Sequence, residues 1–153
     1  MNQNKLLDIV NEALDENPSI FIVDLKISDA NKISLILDGD NGISLKECIR
    51  INKFIEGSFD REEEDFSLEV SSPDIAEPLK NIRQYNKNIG RILKVKTENE
   101  KFEGTLEEVT EKHIHLKWKA REPKPIGKGK ITVDKKATIA FSDIKQTKVK
   151  IIF

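Results

Sequence analysis

Residues 88–153 contain five short segments in which apolar and polar residues alternate, and this repetition limits the folds open to the chain. A period of two places every second side chain on one face of a β-strand. Five short strands in an open sheet leave two edges exposed, whereas a closed barrel removes them. The pattern therefore predicts a small β-barrel. Its apolar residues are Leu93, Val95, Phe102, Leu106, Ile114, Leu116, Trp118, Ile139, Phe141, Val149, Ile151 and Phe153.

Within these strands, Gly104 and two histidines need separate interpretation. Gly104 is expected at a sharp bend, where a side chain would crowd the barrel. His113 and His115 flank the inward-facing Ile114, so we expect both to point outward. Two histidines at this spacing can share a metal, but no third ligand is near them in sequence. We therefore expect surface histidines, no metal site and no cofactor.

The first half of the chain is predicted to fold as helix, strand, strand, helix, strand. This order is typical of an α+β layer with the helices on one face of a small mixed sheet. The first two strands, joined by the short turn "SDAN", form an antiparallel hairpin. The apolar positions that carry this prediction are Leu6, Val10, Ala13 and Leu14; Phe21, Val23, Leu25 and Ile27; Ile33, Leu35 and Leu37; Phe66, Leu68 and Val70.

The second predicted helix has Ser44 and Glu47 at capping-box spacing. The residues expected to form one stripe of this helix are Leu45, Cys48, Ile49, Asn52 and Ile55. Cys48 is the only cysteine, so the chain can form no internal disulfide. A position in this stripe predicts a core thiol and not a nucleophile.

Charge divides the chain into two halves of opposite sign. Residues 1–80 contain 8 Lys and Arg against 18 Asp and Glu, a balance of −10; residues 81–153 contain 18 against 9, a balance of +9. A basic half of this kind suits a polyanionic partner. The alternative is that the two halves merely attract each other. The chain is interpreted as an N-terminal α/β domain (1–80) followed by a barrel domain (81–153).

Basic residues concentrate in two parts of the second half. A short connecting helix after Pro78 is expected to carry Leu79, Ile82 and Tyr85 on one side, and Lys80, Arg83 and Lys87 on the others. Residues 120–136 are interpreted as a long flexible loop that could track phosphates without reading bases. Its candidate contacts are Arg121, Lys124, Lys128 and Lys130. Trp118 and Tyr85 could stack on bases, although the parity of Trp118 favours inward packing.

The segment "LEVSSPDIAEPLK" resembles the ribosome maturation factor RimP family, and the resemblance extends over nearly the whole chain. "GISLKECIRINKFIEG" precedes it, and "NIGRILKVK", "KFEGTLEEV", "IHLKW" and "FSDIKQTKV" follow. The most specific part is LEVSSP, supported by Gly90 and Arg91, by "FEGTL" and by "FSDI". One departure is that Glu77 stands where the family usually has Arg. Lys80 and Arg83 are the obvious substitutes.

This resemblance implies an N-terminal α/β domain joined to an Sm-like or SH3-like barrel. It also implies a non-catalytic role in the late assembly of the small ribosomal subunit, through 16S rRNA and small-subunit proteins. Arg91 joins the candidate rRNA contacts on this basis. Ser71, Ser72, Pro73 and Pro78 form the signature turn, in which Ser72 or Asp74 is expected to cap the following helix. The serine hydroxyls are further candidates for contact with a ribosomal partner.

Two other functions stay open from the sequence. A protein-only adaptor would bind a basic ribosomal protein through its acidic first domain. A Mg²⁺-dependent hydrolase would use Asp38, Asp40 and Glu62–Glu64, although the last run is more simply a solvated loop. The segment "MNQNKLLDIVNEALDE" has no signal-peptide pattern and no apolar run is long enough for a membrane span. We therefore expect a cytoplasmic monomer that takes no small-molecule substrate.

Overall fold

The computed structural model describes residues 1–151, which form two compact units divided between Asp74 and Ile75. This division lies six residues before the domain boundary at residue 80 that the charge balance predicts. The elements of the first unit are α1 (Gln3–Leu14), β1 (Ile20–Ile27), β2 (Lys32–Gly39), α2 (Leu45–Gly57) and β3 (Ser67–Ser71). Those of the second are α3 (Ile82–Lys87), β4 (Ile92–Thr97), β5 (Lys101–Val109), β6 (His113–Pro123), β7 (Lys130–Ala140) and β8 (Ile144–Val149).

The first unit has the predicted element order and the predicted mixed sheet. β1 pairs with β2 antiparallel, and β2 pairs with β3 parallel. Alternate residues of β2 pack against α1 and α2 in one core, because the period of a strand directs them to the same face. The buried residues of that core are Leu6, Val10, Ala13, Ile20, Ile33, Leu35, Leu37, Ile51, Ile55, Phe59 and Phe66.

A β-bulge at Val23 changes which residues of β1 face this core. Ile22 pairs with Leu37, but Asp24 pairs with Ile36, so Val23 is left over between them. The bulge reverses the alternation. The predicted apolar face of Phe21, Val23, Leu25 and Ile27 is therefore wrong in its first half. The residues that pack on the core are Ile20, Ile22, Leu25 and Ile27.

The buried stripe of α2 also differs from the predicted one. Cys48, Ile51 and Ile55 are buried, whereas Leu45 is 76% exposed and Ile49 is 47% exposed. Burial raises the pKa of the Cys48 thiol, as expected of a core cysteine. Ser44 Oγ accepts the hydrogen bond from Glu47 N at 3.2 Å and caps the helix.

The second unit is a five-stranded antiparallel sheet in the order β7-β6-β5-β4-β8. β7 and β8 do not pair with each other within the described residues, so the predicted closed barrel is not formed. Charged side chains, lysine above all, are an alternative way to prevent edge-to-edge association. Both edge strands, β7 and β8, carry several lysines. They are Lys130, Lys135 and Lys136 on β7, and Lys145 and Lys148 on β8.

Gly104 lies where the sheet leaves no room for a side chain. A Cβ at this position would be 3.0 Å from the carbonyl oxygen of Lys117 and 3.1 Å from Cε3 of Trp118. The predicted crowding is confirmed. The surrounding buried core comprises Tyr85, Leu93, Val95, Leu106, Ile114, Leu116 and Ile139. Phe141 begins a short 3₁₀ turn (Phe141–Asp143) instead of ending β7, and the predicted strand position Phe153 lies outside the described residues.

Candidate nucleic-acid interface

Residues 117–136 form a two-stranded ribbon, which we call the β6–β7 ribbon. The pairing of β6 with β7 continues without a break from His113 opposite Ala140 to Pro123 opposite Lys130. Only residues 124–129 are left as the turn. The prediction of an irregular loop over residues 120–136 is therefore wrong.

The ribbon forms because half-buried and exposed side chains continue to alternate along β6 and β7 beyond the buried core. Ala120 lies opposite Val133 and Glu122 opposite Ile131, and these four half-buried side chains share one face. β-Branched residues favour strands, and the three consecutive β-branched residues from Ile131 to Val133 are the sequence feature that indicates β7. Gly127 and Gly129 nearby favour a flexible loop instead, which is why the strand was not predicted. They have φ values of +89° and +94° at Gly127 and Gly129, a region that favours glycine.

The distal half of the ribbon carries four of the predicted contact residues. Arg121, Lys124, Lys128 and Lys130 are all exposed, and none is ion-paired with a carboxylate within residues 1–151. Arg121 Nη1 donates to Thr132 Oγ1 at 3.0 Å, which fixes the guanidinium above β7. Pro123 lies seven residues past Leu116, the last fully buried residue of β6, which is roughly 24 Å along a strand. The ribbon thus holds a set of cations well away from the core.

The other four predicted contacts surround α3, whose start differs from the prediction. Asn81, and not Ser72 or Asp74, caps this helix: its side chain accepts from Arg83 N at 2.9 Å. Gln84 Oε1 accepts from Asn81 N at 3.0 Å and completes a capping box. The predicted cap is wrong because the helix begins later, at Ile82, and Leu79 lies outside it.

The basic side chains of this group differ in exposure. Lys80 and Arg91 are exposed, while Arg83 and Lys87 are half-buried. Arg91 Nη1 donates to Asn88 Oδ1 at 3.3 Å. α3 belongs to the second unit, where it contacts β5, and is not a separate connector. The structure thus arranges the eight predicted contacts as one group around α3 and another on the ribbon.

The signature turn spans the division between the two units. Ser71 is the last residue of β3, and the division follows three residues later. Ser72 is exposed and Pro73 is half-buried. Pro78 lies in the second unit and is half-buried. A ribosomal contact by the two serines stays a prediction.

The two candidate stacking residues are engaged in packing. Tyr85 is 5% exposed, its hydroxyl donates to Thr147 Oγ1 at 2.8 Å, and its ring meets Phe141 edge-on at 5.1 Å. Stacking of Tyr85 on a base is therefore excluded. Trp118 is half-buried and packs edge-on against Phe102 at 6.2 Å, in line with inward packing. The cations of the ribbon are thus better suited to phosphates than to bases.

The acidic and histidine residues considered for metal binding lie in other settings. Asp38 is buried and its Oδ1 accepts from Gly39 N at 2.8 Å. His113 contacts Thr110 Oγ1, and His115 Nδ1 is 2.9 Å from Thr138 Oγ1. Across residues 1–151, no three His, Cys, Asp or Glu side chains are grouped as metal ligands. In the same part of the chain, no helix is long and apolar enough to cross a membrane.

Comparison with known proteins defines the class to which this arrangement belongs. The family model of the RimP N-terminal domain matches residues 9–76. Ribosome maturation factor RimP of Christiangramia forsetii is 51% identical over 153 residues, which is all of both chains. That of Flavobacterium psychrophilum is 48% identical over 151 residues, covering 99% of this chain and 98% of the relative. RimP of Porphyromonas gingivalis is 34% identical over 148 residues, covering 95% and 96%. The chain belongs to the ribosome maturation factor RimP family.

Proposed function

We propose that this chain is a non-catalytic, cytoplasmic maturation factor that binds free small ribosomal subunits during their assembly. Its relatives carry the name ribosome maturation factor, which supports the general role. The more specific part of the proposal is that the second unit contacts 16S rRNA. Residues from 75 onward contain 19 Lys and Arg against 10 Asp and Glu, a balance of +9, whereas residues 1–74 contain 7 against 17, a balance of −10. The second unit therefore attracts a polyanion that the first repels.

The exposed cations of the ribbon are the observation that carries this proposal. Side chains that neutralise phosphates release counterions, and this supplies affinity without any reading of sequence. Arg121 and Lys130 lie in a hydrogen-bonded ladder that projects from the core, and Lys124 and Lys128 lie in the turn that joins its two strands. The α3 group, with Lys80, Arg83, Lys87 and Arg91, supplies a second set of contacts in the same basic unit.

We also propose that the second unit is Sm-like. Its short helix is followed by five antiparallel strands, and the last of these, β8, lies beside the first, β4. This arrangement supports the fold that the family resemblance implies, without closure of the sheet into a barrel.

The experiment is a binding assay between the full-length protein and purified small subunits. Lys124, Lys128 and Lys130 are replaced together by Glu, and the matched control replaces Lys32, Lys46 and Lys53 of the first unit by Glu. The two variants have the same net charge, and all six lysines are exposed. We expect the ribbon variant to lose binding and the control to retain it. Equal binding by both variants would contradict the RNA contact.

A protein-only adaptor is the second candidate, and the exposed apolar residues of α2 favour it. Leu45 and Ile49, one turn apart, leave an uncovered apolar strip in the acidic first unit. A basic ribosomal protein with an apolar patch would complement both features. In that case replacement of Leu45 and Ile49 by Ser abolishes subunit binding, while the ribbon variant still binds.

A further inference from the structure

Three pairs of lysines stand directly opposite one another on the outward face of the second unit's sheet. The pairs join neighbouring strands in the β4–β8, β4–β5 and β6–β7 ladders, and all six side chains are exposed. They share one face because their sequence neighbours, such as Leu93, Val95 and Leu116, point into the core. The pairs are Lys94 with Lys148, Lys96 with Lys101, and Lys117 with Lys136.

Such pairs oppose the stability of the free protein. Directly opposite side chains in an antiparallel sheet have Cβ atoms about 4.5–5.5 Å apart, and like charges there are destabilising. The same sheet also contains favourable pairs, since Lys119 lies opposite Asp134. Glu103 lies opposite Lys94, but its carboxylate is 3.4 Å from Lys150 Nζ. In the part of the chain that the structure describes, none of the six lysines forms an ion pair.

The spacing of these lysines suits a polyanion with regularly placed charges. Alternate residues on one strand are about 6.7 Å apart, and neighbouring strands are about 4.8 Å apart. Five strands therefore present a basic face about 19 Å wide. Lys94, Lys96, Lys101 and Lys148 also line a cleft of about 430 Å³, together with Glu103, whose carboxylate is paired with Lys150. An anion seated there would offset the repulsion in two of the three pairs.

The residues of this face point to a duplex and not to a single strand. Proteins that bind single-stranded nucleic acid combine basic grooves with aromatic side chains on which bases stack. Among the described residues of all five strands, no outward position carries Phe, Tyr or Trp. The outward rings are His113 and His115 on β6, whose centroids lie 4.8 Å from each other. Phe102 lines the same cleft as the lysines, but its ring packs edge-on against Trp118. A face of lysines whose nearest aromatic ring is engaged in packing contacts the backbone, which is how double-stranded RNA is recognised.

We propose that the outward face of the β8-β4-β5-β6-β7 sheet binds the phosphate backbone of double-stranded RNA, with the three opposed lysine pairs as its main contacts. This inference rests on the proposed function and adds to it a second surface and the form of the RNA. The third pair, Lys117 with Lys136, lies at the base of the β6–β7 ribbon. The four ribbon contacts proposed above, Arg121, Lys124, Lys128 and Lys130, are separate from it, because they lie in the distal half of the ribbon and its turn.

The test compares Lys148→Glu with the unaltered full-length protein. The probe is an RNA duplex of about 16 base pairs and mixed sequence, with the single strand of the same length as comparison. We expect Lys148→Glu to bind the duplex at least about tenfold more weakly than the unaltered protein. The slope of log K against log salt should also be smaller for the variant, by about one. The free variant should need more urea to unfold than the unaltered protein, because Glu opposite Lys94 is attractive.

The charge-matched control is Lys112→Glu, at an exposed position in the β5–β6 turn. We expect it to bind the duplex within about threefold of the unaltered protein, since it lies outside the lysine face. Unchanged duplex binding by Lys148→Glu, or equally tight binding of the single strand, would overturn the inference. Loss of duplex binding in the ribbon variant alone would also overturn it, while leaving the proposed function intact. Failure of the unaltered protein to bind small subunits would remove the proposed function, and the duplex measurement would still decide the role of this face.

Discussion

The hydroxyl of Tyr85 on α3 donates a 2.8 Å hydrogen bond to Oγ1 of Thr147 on β8, and both side chains lie inside the core of the second unit. We expect Tyr85→Phe to lower the free energy of unfolding by about 1–3 kcal/mol, because it leaves the fully buried hydroxyl of Thr147 without its hydrogen-bond partner. Urea denaturation measures the change. The control is the double variant Tyr85→Phe with Thr147→Val, which removes both polar groups and should cost less than the two single changes added together. Additive costs would show that the bond contributes little.

The same residue gives a prediction for alkaline pH. Burial raises the pKa of Tyr85 above its usual value, and the hydrogen bond that Tyr85 makes with Thr147 only partly opposes this. Folding therefore favours the neutral phenol. That stability is complete below the unfolded-state pKa of about 10 and is lost as the pH rises through the folded-state pKa. Tyr85 is the sole tyrosine, so ultraviolet difference spectroscopy of the native protein reports its ionisation directly. Titration at the value of a free tyrosine would contradict the prediction.

Gly104→Ala is expected to destabilise the protein by about 1–3 kcal/mol, because the new methyl group meets backbone and an indole ring that cannot both move aside. Thermal or urea unfolding measures this. Gly57→Ala is the matched control: it lies in the last turn of α2, and a Cβ there has no heavy atom within 4 Å. We expect that change to be neutral or slightly stabilising. Equal effects at the two positions would mean that the space around Gly104 is not restrictive.

Arg50 links the two helices of the first unit. Its Nη1 donates to the carbonyl oxygen of Ala13 at 3.2 Å and to Glu16 at 2.9 Å, and its Nη2 donates to Glu47 at 2.9 Å. We expect Arg50→Met to cost about 1 kcal/mol, since the side chain is partly exposed to solvent. Lys53→Met, on the same helix, is the control and should have little effect.

Acid should remove part of this contribution. The hydrogen bond from Arg50 lowers the pKa of Glu47, so the pair stabilises the fold above the unfolded-state pKa of about 4.3. That stability is lost as the pH falls through the folded-state pKa. The difference in urea midpoint between Arg50→Met and the unaltered protein should therefore be smaller at acidic pH than at neutral pH. A constant difference between them would rule out this origin.

Binding to small subunits should weaken steeply with added salt. Each phosphate neutralised contributes a slope of about 0.7–0.9 in log K against log salt. Affinity measured between about 50 and 200 mM salt should fall, and replacing Lys124, Lys128 and Lys130 by Gln should reduce the slope by about 2–3. Affinity that stays flat over this range would count against the RNA contact.

The order of elements in the first unit was predictable because its helices and strands each bury one face against a shared core. Ile33, Leu35 and Leu37 show this most clearly, since all three are buried at the expected alternation. The errors arose where a local irregularity changes which residues of a strand face the core. The bulge at Val23 inserts one residue, and no pattern of apolar residues distinguishes an inserted residue from a regular one.

The ribbon was missed for a different physical reason. Hydrophobic periodicity detects a strand only where one face is buried, and beyond Leu116 neither face of β6 is fully buried. Lysines and glycines then suggested a loop. The same limit hid the opposed lysine pairs, because the partner of a residue on another strand depends on register, and register is fixed by distant turns and bulges.

Because the two strands of the ribbon are paired and do not form a loose loop, Arg121 and Lys130 already have their backbone spacing before any partner arrives. The backbone conformational entropy of the paired residues 117–123 and 130–136 is lost when the protein folds, and little more of it remains to be lost on binding. Such a preorganised arm should discriminate between RNA shapes, since it cannot rearrange to follow a backbone whose phosphates are placed differently.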